Sequence, residues 1–254
     1  MQVRCLGPMV IGTGRREVVV RSSLRARVLV VLVVNAGDLV SRECLVDEVW
    51  PSDPPAGAVG SLHAHVSRLR GDLARWGVGD RIDIAAEQGG YRLRMTGVGL
   101  DVEDYEGLAA TAHRRRRTAA GEVPELARAA LRLWRGEPFE GLELGLRGHL
   151  ARARLQESRM ALFEALVDTA LTSGRHQDVV AELRELTMVF PFREKFHEQL
   201  MVALYRCGRQ VEAVQAFHGH RERISRELGL EPSPALRRRM TEILRHDPAL
   251  WQAG

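Results

Sequence analysis

The sequence predicts a mainly α-helical protein with a small β component, arranged as two modules. Three observations predict it. Residues 54–76 carry one apolar stripe at helical spacing: Leu62, Val66, Leu69, Leu73 and Trp76 recur at i, i+4, i+7, i+11 and i+14. Residues 81–95 read as two short strands around Gly89–Gly90, a pair suited to the φ > 0 positions of a hairpin turn. In the second half, Leu171, Gly174, Arg175 and Val180 recur as Tyr205, Gly208, Arg209 and Val214. That 34-residue period belongs to stacked helical hairpins of the tetratricopeptide kind.

Composition sets the frame. A chain of 254 residues, 45% hydrophobic and 28% charged, has room for two packed cores. The net charge of +4 is compatible with a polyanionic partner without establishing one. Lys195 is the only lysine, a bias that a GC-rich genome produces, so arginine abundance alone is a poor guide to function. Cys5, Cys44 and Cys207 lie far apart, outside any CxxC, and are expected to be reduced. The longest apolar run, Val28 to Val34, falls far short of the ~20 residues that cross a bilayer. No secretory leader is legible at the start, so a soluble cytoplasmic protein is expected.

Taken in order, Val3–Leu6, Met9–Ile11 and Val18–Val20 are short strand candidates, broken by Gly7–Pro8 and Gly12–Thr13–Gly14. Residues 23–35 predict a buried helix capped by Ser22 or Ser23, with Gly37 near its end. Leu39–Val40 is long enough only for a bridge. Ser41 then caps a helix over 42–49, with Glu43 in its first turn and Leu45, Val46 and Val49 inward. The long helix starts at Pro54–Pro55 and stops before Gly77. Its remaining surface carries Ser61, His63, His65, Ser67, Arg68, Arg70 and Arg75, with Asp72 the only acid. Helix, helix, turn, helix and hairpin is the order of a winged helix-turn-helix.

Gly97–Val98–Gly99 reads as a linker, placing modules at 1–97 and 98–254. The second module predicts helices over 101–117, 124–135 and from about 148 onward. Pro191 closes the first repeat, and Pro234 opens a last helix over 234–245 ahead of a frayed tail at 247–254.

LVSRECLVDEVWPSDPPAGAVGSLHAHVSRLRGDL followed by GGYRLR resembles the winged helix-turn-helix of OmpR/PhoB-type response regulators. It resembles more closely the Streptomyces antibiotic regulatory protein (SARP) family of transcription activators. There, a strands-first DNA-binding domain precedes an all-α, tetratricopeptide-like bacterial transcriptional activator domain. LRLWRGEPFEGL, LVDTALTSGRHQDVVAELREL, LMVALYRCGRQVEAVQAF and LGLEPSPAL carry that second resemblance, which thus spans nearly the whole chain.

The resemblance implies contact with double-stranded DNA through Ser61, His65, Ser67, Arg68 and Arg70. It also implies two protomers side by side on direct repeats near a promoter's −35 region, recruitment of RNA polymerase through σ factor region 4 and other subunits, and control of secondary-metabolite genes. The basic face of the long helix supports the same reading, and His63 shares it. Arg68 offers the one bidentate fork on the outward face, which suits a base edge. Arg92 and Arg94, two apart on a strand, share a face and suit phosphate or groove floor. The pattern departs from the family at Gly60, where relatives usually carry Asn or Arg, and at Ser67, where response regulators often carry Arg.

Plainer readings stand beside these. Arg114–Arg117 is four cations at a helix end, as well suited to solvent as to DNA. His218 and His220 fall on different helix faces, Asp101–Asp104 reads as a helix start, and neither metal nor cofactor is expected. GxSxG, Walker and HExxH motifs are absent from the sequence, which speaks against an enzyme. With no receiver or nucleotide-binding module legible, control by abundance or by an unidentified ligand is expected. The rival functions are a tetratricopeptide adaptor whose winged module binds protein, and a ligand-sensing repressor with a pocket between its repeats.

Overall fold

A computed structural model describes residues 1–12, 16–116 and 118–251. The Gly12–Thr13–Gly14 turn, Arg117 and the last three residues of the tail lie wholly or partly outside them. The chain divides into two compact units: 1–110 with 128–159, and 111–127 with 160–254. Residues 128–159 thus belong with the N-terminal segment rather than with the helices that follow them.

The first unit opens on three strands, β1 (Gln2–Arg4), β2 (Val10–Gly12) and β3 (Glu17–Val19), paired antiparallel in sequence order. Helix α1 (Leu24–Val34) follows, with the Ser23 hydroxyl accepting from the amide of Ala26. Residues 28–33 are all buried, so the Val-rich run is helical because it is enclosed on every side. Leu39–Ser41 forms β4, a paired strand rather than a bridge, and Ser41 also caps α2 (Arg42–Val49).

The long helix, α3, runs over Ala58–Arg75. It starts three residues later than Pro55, because Gly57 turns left-handed (φ 80°) and ends the Pro-Pro lead-in. Strands β5 (Ile82–Glu87) and β6 (Gly90–Met95) complete a three-stranded sheet in the order β4-β6-β5. The hairpin turn needs only one left-handed residue, Gly89 (φ 89°). Gly90 is required for a different reason: a Cβ there would overlap the carbonyl oxygen of Val40, so β4 could not approach β6.

Strand β7 (Gly99–Leu100) then pairs parallel with β1, where the sequence suggested a linker. Asp101 begins α4 (Asp101–Arg115), and the expected end at 117 falls outside the described residues. Its buried carboxylate accepts from the amides of Cys5 (2.7 Å) and Leu6 (3.1 Å). Burial raises the pKa of this carboxyl, against those two amides and Arg135. The next helix is α5 (Val123–Leu131), ending four residues before the predicted 135. The chain then returns to the N-terminal strands, with the Arg135 amide bonding the carbonyl of Leu6 and that of Phe139 bonding Cys5. Glu48, itself buried, accepts from the Arg147 amide at the first turn of α6 (Leu146–Thr172).

The second unit contains the repeat. The end of α6 shares an apolar core with α7 (Val180–Val189), and α8 (Glu194–Arg206) packs against α9 (Gln210–Leu228). The turns match atom for atom: Gly174 (φ 73°) and Gly208 (φ 74°) are both left-handed. The amides of Arg175 and Arg209 reach back to the carbonyls of Ala170 and Leu204. One apolar core runs through these helices, centred on Leu183, Phe196, Met201 and Ala213. Helix α10 (Pro234–Leu244), capped by Ser233, covers its end with Leu236, Met240 and Ile243. The tail is ordered further than expected: residues 248–251 form a 3-10 turn that buries Leu250.

Candidate nucleic-acid interface

Helix α3 is fixed by its apolar side. Leu62, Val66, Leu69 and Leu73 are each at most 2% exposed. Trp76, the last residue of the predicted stripe, is half-buried. Asp72, expected on the open surface, is instead buried and pairs with Arg25 (3.0 Å) and Arg75. The outward surface of α3 therefore carries no free carboxylate.

The eight predicted contact residues divide by what already holds them. His65 is half-buried, with its ring 5.8 Å from that of Trp50, the residue just after α2. Burial, then Arg68 and Arg25, hold its imidazole below the ordinary histidine value, so it is neutral at pH 7. His63 is exposed and meets Tyr91 of β6 edge-on at 6.2 Å. Ser61 is half-buried. The Arg70 Nε donates to the carbonyl of Ile84 at 2.9 Å, tying α3 to β5.

Arg92 is held by Glu87 through two bonds, Nε to Oε1 at 3.0 Å and Nη2 to Oε2 at 3.1 Å, and also donates to the carbonyl of Gly37. Arg94 reaches the same carboxylate at 2.9 Å. Bonds from Arg92 and Arg94 keep the Glu87 carboxyl below its ordinary pKa. Ser67 and Arg68 are different. Both are exposed, and among the described residues neither side chain makes a hydrogen bond or ion pair.

Sequence reasoning missed Glu87 and Arg25. Glu87 was within reach of the hairpin register. It pairs with Gly90, so Arg92 lies on the diagonal beyond it, a spacing that brings long side chains together. Arg25 gave no sequence signal, because its partner Asp72 was assigned to solvent. The other flagged groups resolve plainly. Arg115 pairs with Glu122 at 3.5 Å and Arg116 with Asp168 at 3.2 Å. His220 is buried, with its ring 4.0 Å from that of His197, while His218 is exposed. Among the described residues no cluster of three metal-ligating side chains occurs, and no helix is long and apolar enough to cross a membrane.

A short capped helix, a second helix with one open cationic face and a hairpin beside it define a winged helix-turn-helix regulator, here followed by a helical repeat array. Two family models match the chain: the bacterial transcriptional activator domain over residues 100–244, and the C-terminal domain of transcriptional regulatory proteins over residues 16–93. The regulatory protein DnrI of Streptomyces peucetius is 35% identical over 263 residues, covering 100% of this chain and 96% of DnrI. The transcriptional regulator RedD of Streptomyces coelicolor is 32% identical over 252 residues, covering 98% of this chain and 72% of RedD. A solved structure of Mycobacterium tuberculosis EmbR in complex with a low-affinity phosphopeptide matches with a TM-score of 0.84 at 30% identity. That match covers 97% of this chain and 65% of the EmbR chain. The chain belongs to the Streptomyces antibiotic regulatory protein family and is a transcriptional activator of that type.

Proposed function

We propose that this activator binds double-stranded DNA at direct repeats near a promoter's −35 region, two protomers side by side, and recruits RNA polymerase there. Residues 1–97 act as the DNA-reading module. Residues 98–254 act through protein contacts with the second protomer and with polymerase, σ factor region 4 included. The genes served are those of a secondary-metabolite cluster, and the protein works in the cytoplasm at the nucleoid.

The observation that carries this reading is the open pair Ser67–Arg68 on a helix otherwise fixed by its neighbours. Its apolar side is buried, Arg70 ties it to β5, and Trp50 and Tyr91 flank its two histidines. A rigid rod with one free fork suits a major groove, where a guanidinium reads guanine through two bonds. In this arrangement Ser61, His63, His65 and Arg70 position the helix against backbone, while the hairpin brings Arg92 and Arg94 to phosphate.

Selection of bound fragments from a random DNA pool, followed by affinity measurements across salt, tests the reading. A recovered direct repeat and a log–log salt slope of about −0.9 per neutralised phosphate are expected. Random recovered sequences with a flat salt response would sink it. Transcription from the recovered repeat with purified polymerase is expected to rise on adding the protein.

A further inference from the structure

The second compact unit holds a cavity of about 430 Å³ that DNA reading leaves unused. It opens among α6, α8 and α10, with the residue after α4 and the 248–251 turn at its sides. Arg116, Lys195, Arg206 and Arg239 line it together with two carboxylates, Asp168 and Glu198. Stacked helices gain more from filling such a seam with apolar side chains, because half-buried ion pairs lose in desolvation much of what they gain in attraction. A seam kept polar and open at that cost has the character of a binding site.

Donors and acceptors define what it takes. Asp168 accepts from the Gln199 amide at 2.7 Å and from Arg116 at 3.2 Å, with Lys195 at 3.9 Å. Glu198 pairs with Lys195 at 3.3 Å and Arg239 at 2.9 Å. Each carboxylate thus serves several donors. The donors are in excess, since a guanidinium carries five N–H groups and an ammonium three. Arg206 donates to the carbonyls of Leu250 (2.6 Å) and Leu171 (2.7 Å). Burial first, and then the charge of Arg239, lower its pKa, a repulsion that a shared anion would relieve. Gln199 is 2% exposed, and its Oε1 has no hydrogen-bond partner.

We propose that this cavity binds a small polyanion, a molecule bearing two or more carboxylate or phosphate groups held by Arg239, Lys195 and Arg116. Its volume suits a metabolite rather than a polymer. The site is independent of the DNA reading and is tested separately from it.

Citrate and pyrophosphate are the probes, titrated calorimetrically into the full chain. At least one is expected to bind with a Kd below about 1 mM. Which of them binds more tightly assigns carboxylate or phosphate chemistry. Lys195→Gln and Arg239→Gln are each expected to weaken that binding tenfold or more, while Arg68→Ala leaves it unchanged. Arg239 also pairs with Glu242, so the circular dichroism of both variants is compared with the parent; Lys195, 41% exposed at its side chain, is the milder change. No heat with either probe up to about 1 mM would overturn the proposal. So would full binding by a folded Lys195→Gln variant, or a loss that follows Arg68→Ala and so places the anion on the DNA-reading helix.

Discussion

Helix α3 and the β5–β6 hairpin both present arginines, yet Arg68 of the helix and the pair on the hairpin are in opposite states. On the helix Arg68 stands open, and Asp72, four residues on, is turned inward to Arg25 and Arg75. On the hairpin one carboxylate, Glu87, holds both Arg92 and Arg94. The mounts differ as well. The helix is held by a buried apolar stripe, the hairpin by the close approach of two backbones at Gly90. What a cation is free to do depends on the acid placed near it, and counting arginines cannot show that. On the proposed reading, the helix specifies and the hairpin adheres.

The mounts give the largest expected effects. Leu69→Ala opens a void under α3 and should cost about 2–5 kcal/mol of stability, read by chemical denaturation. Gly90→Ala drives a methyl into the Val40 carbonyl and should cost about 1–3 kcal/mol, with weakened β4–β6 pairing visible in amide exchange. If Gly90→Ala is as stable as the parent, the proposed mount of the hairpin is wrong.

The cations come next. Arg68→Ala should cost about 1–3 kcal/mol at the cognate repeat and relax preference at a single base. A uniform loss across all sequences would make Arg68 a phosphate contact and erase the contrast with the hairpin. Smallest is the hairpin itself. Arg92→Ala should weaken every sequence alike, with the salt slope shallower by about 1. Glu87→Gln, which releases both arginines, should tighten non-specific binding and steepen that slope. An unchanged slope in Glu87→Gln would mean that the carboxylate does not compete with phosphate.

Much of this architecture was legible in the residues. The apolar stripe of α3, the Ser23 and Ser41 caps and the Gly174/Gly208 repeat each follow from local rules, and each element sits within a few residues of its predicted place. Four of the misses share a cause: long-range pairing. Leu39–Val40 becomes a strand because β6 lies alongside, and Gly99–Leu100 because β1 does. Asp72 read as a surface acid and Asp101 only as a helix start, but their partners lie 47 and 96 residues away, at Arg25 and Cys5. The candidate interface was legible as a set of residue types on one helix face. The free fork at Arg68 and the occupied ones at Arg70, Arg92 and Arg94 were not, since that distinction belongs to the carbonyls and carboxylates that the fold brings within reach.

The clasp between β1 and the start of α4 bears on how the molecule can be dissected. A fragment stopped at residue 97 loses the β7 partner of Gln2 and Val3, and with Asp101 the acceptor for the amides of Cys5 and Leu6. Its first strand would then carry a bare flank, the kind of edge on which chains associate into oligomers. Any self-association of such a truncated piece would report on the surgery rather than on the native protein.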